Sequence, residues 1–359
     1  MGAYPKLLIK NAAIFDGTDY CRGDVLIEKG VIADIREGIT CPDAEVIDID
    51  GKLLAPGLID IHTHLRNVSN TTFGVDASLC TIPFGVTAAV DGGASRGDEA
   101  YLDTLNIKSA VFVGVSIRGN KALLEKTDET AAKYGKYLLG YKVYFDTKVS
   151  EVTDVSPLKE VCDFAKSRGR RVMVHCSNSP VPMTEIVKTL NPGDILTHPY
   201  HGGVNTAADE GFEAIFLAKQ KGVIVDAGLA GHVHTDFKVL KAAIAAGATP
   251  DTVSSDITRL SAFVRGGRYG LTACMSIMRH VGMKEKDILR AVTSSAARAV
   301  NRENVWGSVK AGDIADLAVL DYAHGGGFSF TDAAGNHIES NIGYKCVLTI
   351  INGDIVYTA

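Results

Sequence analysis

The sequence predicts an α/β protein: a parallel (β/α)8 TIM barrel carrying a small β-sandwich domain assembled from both ends of the chain. Three observations predict it. Eight apolar, β-branched runs recur through the middle of the chain, amphipathic helical segments separate several of them, and both ends read instead as short alternating strands cut by turns. Near-continuous apolar strands alternating with helices mark a parallel sheet covered on both faces, and eight of them close a barrel of about 250 residues. The 359 residues leave room for a second, smaller domain.

The eight runs are LIDIHTH (58–64), VTAAVDGG (86–93), AVFVGVSI (110–117), LLGYKVYF (138–145), RRVMVHCS (170–177), DILTHPY (194–200), GVIVDAG (222–228) and TVSSDI (252–257). Between them SPLKEVCDFAKSRG, ADEGFEAIFLAKQKG and DFKVLKAAIAAGA have helical periodicity, and the last two end at or near a glycine suited to a C-cap. At the ends, KLLIKNAAIFDG, GDVLIEKGVIADIREG and AEVIDIDGKLL find counterparts in DIADLAVLD and YKCVLTIINGDIVYT, punctuated by Gly and Asp as hairpins are. The expected division is a barrel over 55–309 and a composite β-domain over 1–54 and 310–359. GGRYG (266–270) and HGGG (324–327) read as loops.

Composition removes several classes of function. A net charge of −5 lacks the basic stripe of a nucleic-acid binder. No run reaches the roughly 18 apolar residues of a membrane helix. The opening MGAYPKLLIKNAAIF has neither the apolar region nor the cleavage site of a secretory signal. Seven scattered cysteines without a CxxC pair read as reduced thiols, Cys176 among them as core. A cytoplasmic protein with a small-molecule substrate, homo-oligomeric and without nucleic-acid or membrane partners, is the expectation.

Unusual polar residues occur towards the same end of five of these runs. Active sites of these barrels lie at the C-terminal ends of the strands. There the first run ends in His62 and His64, the fourth carries Lys142, the fifth ends at His175, the sixth at His198 and the eighth at Asp256. One histidine at a strand end is usually a hydrogen-bonded structural residue; six such groups at one end of one barrel are a constellation. Lys142 stands among Leu138, Leu139, Val143 and Phe145, where a bare ammonium costs several kcal/mol. Burial lowers a lysine's pKa and frees its amine to add CO2, giving an anionic carbamate able to bridge two cations. Four neutral imidazoles, a carboxylate and a carbamate suit two divalent ions, Zn²⁺ foremost.

With those residues in place the chain resembles the amidohydrolase superfamily over nearly its whole length. APGLIDIHTH, GYKVYF, MVHCS, ILTHPYHG, SSDI and the late GSVKAGDIADLAVLD and INGDIV carry the resemblance. It implies His62, His64 and Asp256 on the more buried metal, His175 and His198 on the outer one, N6-carboxylated Lys142 between them, and Asp256 as the catalytic proton shuttle. Asp60-x-His62-x-His64-x-Arg66 is similar to the opening of dihydroorotases, in which the arginine contacts a substrate carboxylate. AVDGGASRG stands where those enzymes have Asp-Met-Pro-Asn, and HGGVNTAADEGF with KVLKAAIAAG resembles the deacetylase-labelled branch instead. No HxxE of the deaminase relatives follows His175. The implied activity is hydrolysis of an amide or ester in a small N-acyl or O-acyl substrate. A cyclic-amide hydrolase of dihydroorotase or hydantoinase type is the alternative, and a non-catalytic binding homologue the weaker one. Arg66, His232 and Arg259 are the substrate-binding candidates. His201, His232, His234 and Arg259 lie at or just beyond strand ends and could line the pocket, although a loop residue bonded to backbone is the commoner role. For Arg66 a surface or structural ion pair is as common as a substrate contact.

Overall fold

The computed structural model describes residues 6–69, 74–231, 233–264 and 269–359. The chain opens with β1 (Lys6–Phe15), β2 (Tyr20–Glu28), β3 (Val31–Arg36), β4 (Glu45–Asp48) and β5 (Leu53–Pro56). The central strands are β6 (Leu58–Thr63), β7 (Val86–Ala94), β8 (Lys108–Gly114), β11 (Leu138–Tyr144), β12 (Arg171–His175), β13 (Ile195–Thr197) and β14 (Ile224–Asp226). A side hairpin of β9 (Ile117–Arg118) and β10 (Lys121–Ala122) lies outside them, and β15 (Leu317–Thr331), β16 (His337–Ile351) and β17 (Asp354–Thr358) finish the chain.

The central strands form one parallel sheet in the order β6-β7-β8-β11-β12-β13-β14. Every residue of β6 is buried, as both faces of a covered parallel sheet require. The expected eighth strand, 252–257, is extended but irregular. It bridges β14 through Asp226 and Thr252 and β6 through Thr63 and Ile257, so it closes the barrel with two isolated bridges rather than a ladder. The reason is in its residues: Ser254 and Ser255 spend their hydroxyls on Asp226 and Asp60, and Asp256 adopts a φ of 45°, which breaks strand geometry.

The termini build a separate sheet, ordered β17-β16-β15-β5-β1-β2-β3 with β4 beside β1. HGGG, read as a loop, instead lies inside β15, where the pairing with β16 slips between His324 and Phe328. Glycines tolerate such a bulge without ending the strand. GGRYG falls mostly outside the described residues. Helices Ser156–Ser167, Glu213–Lys221 and Phe237–Ala245 form where periodicity expects them; the second stops at Gly222 with φ 76°, and Asp236 caps the third by accepting from Lys238 and Val239 N–H. No helix among the described residues is long and apolar enough to cross a membrane.

Register positions the site. In β11 and β12, Lys142 lies beside Met173, and Met173 packs with Ile59, Ile61, Val90, Phe112 and Ile195. Two residues further, His175 pairs with Thr197, which pairs with Asp226. Neighbouring partners in a sheet share a face. His175, Thr197 and Asp226 therefore form a polar tier above the apolar residues around Met173, and Lys142, level with Met173, points to the same face.

Candidate metal centre

His62 and His64 leave the end of β6 with ring centroids 5.5 Å apart, while Thr63 between them bonds across to the Val90 carbonyl. Hydroxyls set the state of each ring. Thr197 Oγ1 gives its only proton to Asp226 Oδ2 at 2.8 Å, so it accepts from His62 Nδ1–H at 3.2 Å. Ser69 Oγ likewise donates to Asp91 Oδ1 at 2.6 Å and accepts from His64 Nδ1–H at 2.9 Å. Both rings are left with a lone pair on Nε2. Those two atoms face Asp256 Oδ1, at 3.4 Å from His62 and 2.9 Å from His64.

His198, from just after β13, donates Nδ1–H to the Gly228 carbonyl at 2.6 Å. Its Nε2 is buried without a hydrogen-bond partner among the described residues, 3.6 Å from Asp256 Oδ2. His175 uses Nε2 on Ser177 Oγ and on Asp146 Oδ2 at 3.4 Å, leaving Nδ1 open. Burial pushes His62 down to about 4, with nearby Lys142 adding to the effect. It lowers His175 and drives His198 well below the ordinary range. All three are neutral ligands at pH 7.

Lys142 is wholly buried, and its Nζ lies 2.8 Å from His62 Nε2. Burial pulls its pKa down to about 8 against the opposing charges of Asp256, Asp226 and Asp91. Burial alone would raise Asp256, while positive charge on the rings of His62, His64 and His198 would hold the carboxyl well below its usual range. His198 and Asp256 both sit at positive φ, 67° and 45°. Non-glycine residues held there cost of order 1–3 kcal/mol each, a strain that clusters at functional sites.

Lone pairs and a carboxylate thus face one another across 2.9–3.9 Å. Acceptors packed on acceptors repel unless a cation or protons lie between them, and neutral imidazole with carboxylate is the donor set of zinc. The residues present fit divalent metal. Two overlapping triads could hold an ion, His62–His198–Asp256 and His175–His198–His234, the donor atoms of each within 4.8 Å of one another.

His234 had read as a loop residue; instead its ring lies 4.4 Å from that of His198 and 4.7 Å from that of His175. The H-x-H spacing of the first strand recurs at His232 and His234, and that was the signal for it. Asp226, Asp91 and Asp146 were also missed as the carboxylates behind the histidines. His232 lies outside the described residues. Arg259 is exposed, three residues past Asp256. Arg66 is not brought to the cluster: it is exposed and lines a surface hollow with Asp76, Ser78 and Tyr101. His201 is buried, accepts from Gly203 N–H at 3.0 Å, and has been pushed down to about 4 by burial.

Fold and site together define a barrel whose strand ends gather histidine and aspartate able to hold a metal. The amidohydrolase family profile matches residues 53–356, and the chain belongs to that family, which points to a hydrolase acting on C–N bonds. A deacetylase of Agrobacterium fabrum is 27% identical over 337 residues, covering 87% of this chain and 82% of that one. A dihydroorotase of Aquifex aeolicus is 27% identical over 241 residues, 64% of this chain and 54% of its own. Among solved structures, a dihydroorotase superposes with a TM-score of 0.86 at 22% identity over 99% of this chain and 98% of that one. An adenine deaminase superposes with a TM-score of 0.85 at 22% identity, over 98% and 99%. These two likenesses establish a shared fold.

Proposed function

We propose that this chain is a binuclear metal hydrolase that cleaves an amide or ester bond in a small N-acyl or O-acyl substrate. The observation that supports the reading is the ring of acceptors, His62, His64 and His198 Nε2 around both oxygens of Asp256, which is stable only around positive charge. His62, His64 and Asp256 would hold one ion and His175 and His198 the other, with Lys142 between. At a pKa of about 8 a usable fraction of Lys142 is free amine near neutral pH. Its lone pair attacks the carbon of CO2, and the nitrogen loses a proton to solvent, leaving a carbamate whose negative charge replaces a buried positive one.

Two divalent ions bound there, zinc by the donor chemistry, would make water acidic near neutral pH and polarise a carbonyl. The chain's own groups do the rest. Asp256 is ionised and borders both triads, so it can take the proton of the attacking water and return it to the departing nitrogen or oxygen. The hydroxyl–carboxylate pairs behind His62 and His64 keep each ring in one tautomer and one orientation. A cyclic-amide hydrolase is the second reading, supported by the dihydroorotase relative.

Metal analysis of purified protein, followed by a screen of N-acetyl amino acids, acyl esters and cyclic amides, tests the proposal. Two equivalents of metal with chelator-sensitive turnover of an acyl substrate are expected. Turnover confined to cyclic amides would select the second reading, and full activity in metal-free protein would remove both.

A further inference from the structure

We propose that His234 is a third histidine donor to the outer ion, beside His175 and His198, so that this position is held by three imidazoles from three separate segments. The inference rests on the binuclear reading above and adds a donor to it.

Ser177 is the hub of the argument. Its hydroxyl donates to Asp146 Oδ2 at 3.2 Å, so its oxygen must accept from the rings that approach it. Those rings are His175, through Nε2, and His234, through Nδ1 at 3.5 Å. One hydroxyl thereby gives two imidazoles matching roles: each spends an N–H on Ser177 and turns its remaining nitrogen inward. The inward atom of His234 is Nε2, 3.9 Å from Asp256 Oδ2, and the lone-pair nitrogen of His198 lies 3.6 Å from the same oxygen. Two imidazole lone pairs aimed at one carboxylate oxygen leave a position only a cation can stabilise.

A merely structural role for His234 is poorly supported. A histidine outside the donor set, His201, ties a ring nitrogen to the main chain at Gly203 N–H. Among the described residues the His234 ring meets only Ser177 as a hydrogen-bond partner, and that at the limit of the distance. Its side chain is 19% exposed against 1% for His198 and 7% for His175, so it lies on the solvent side of the cluster.

The test uses zinc alone on the full chain, stripped with a chelator and reloaded in bicarbonate buffer. Both dissociation constants are read by competition with a chromophoric chelator, for the wild type, His234→Ala and His234→Gln. Loss of a supporting partner behind a ligand costs about 10–100-fold in metal affinity, so loss of the ligand itself should exceed about 100-fold. The expected result is that loss on the second ion, the first ion keeping its affinity. Two ions bound with unchanged affinity in both variants would overturn the assignment of His234 and leave the binuclear reading standing, as a substrate contact would. A wild type that binds a single ion would overturn both. Should the variants not fold, cobalt-loaded wild type decides: five hyperfine-shifted imidazole N–H resonances support the proposal, and four exclude it.

Discussion

The two halves of the histidine cluster are built differently. His62 and His64 stand on a single strand, and each is backed by its own buried hydroxyl and carboxylate, Thr197 with Asp226 and Ser69 with Asp91. His175, His198 and His234 come from three segments and share one hydroxyl, Ser177, and one carboxylate, Asp146, with a main-chain carbonyl for His198. Asp256 spans the two, presenting Oδ1 to the first half and Oδ2 to the second. The first half is a preset, rigid seat. The second is open at His234, as a position that must admit substrate needs to be. Under the proposed binuclear function, the difference predicts tighter binding of the inner ion and approach of substrate to the outer one.

The largest effect should come from removing what joins the halves. Lys142→Ala is expected to lower kcat by about 10³-fold or more, since under the proposed function it removes the anion shared by both metal positions. Lys142→Arg should be no better, because guanidinium stays cationic and cannot add CO2. A short carboxylic acid added to Lys142→Ala should return part of the activity, and full activity of the untreated variant would contradict the bridge.

The contrast between the seats is sharpened by their carboxylates. Asp226→Asn should weaken the inner ion by about 10–100-fold and spare the outer, while Asp146→Asn should do the reverse. Zinc competition reads both, and equal losses at the two positions in either variant would break the comparison.

A third prediction concerns His201, buried near the cluster yet in neither half. Its pKa in the folded protein is about 4 against 6.5 when exposed, so the folded state refuses a proton that the unfolded chain accepts. Stability is unaffected above pH 6.5, falls as pH drops through that value, and levels off below about 4. Relative to His201→Gln, the wild type should lose up to about 3 kcal/mol across that window. A difference between the two urea midpoints that stays constant with pH would show that His201 titrates normally.

The smallest effect belongs to Arg66. Because it lines a hollow away from the histidines, Arg66→Met should change KM less than about twofold for carboxylated and neutral substrates alike, a change within the ordinary range for surface substitutions. A large rise confined to carboxylated substrates would return Arg66 to the site.

What the sequence disclosed follows from periodicity. His62, His64, Lys142, His175, His198 and Asp256 each interrupt an apolar run at a strand end, and strands carried to one end of a barrel must converge there. His234 stands in no periodic segment, so its place depends on a loop path that alternation does not encode. Asp226 and Asp91 lay in plain view at the ends of apolar runs. Their role depends on which hydroxyl each meets across the barrel, Thr197, Thr252 and Ser254 for one and Ser69 for the other, and those are contacts of tertiary structure. The irregular eighth segment and the glycines inside β15 were misread for a related reason: serine hydroxyls and a register slip overrode the local pattern.

The central claim is that two ions share a carboxylated Lys142. Protein loaded with zinc in ¹³C-bicarbonate, with metal counted on the same sample, tests it most directly. Two equivalents of metal and one carbamate carbon resonance that disappears in Lys142→Ala are the predicted result. Two equivalents of metal with no carbamate signal, in fully active enzyme, would contradict it.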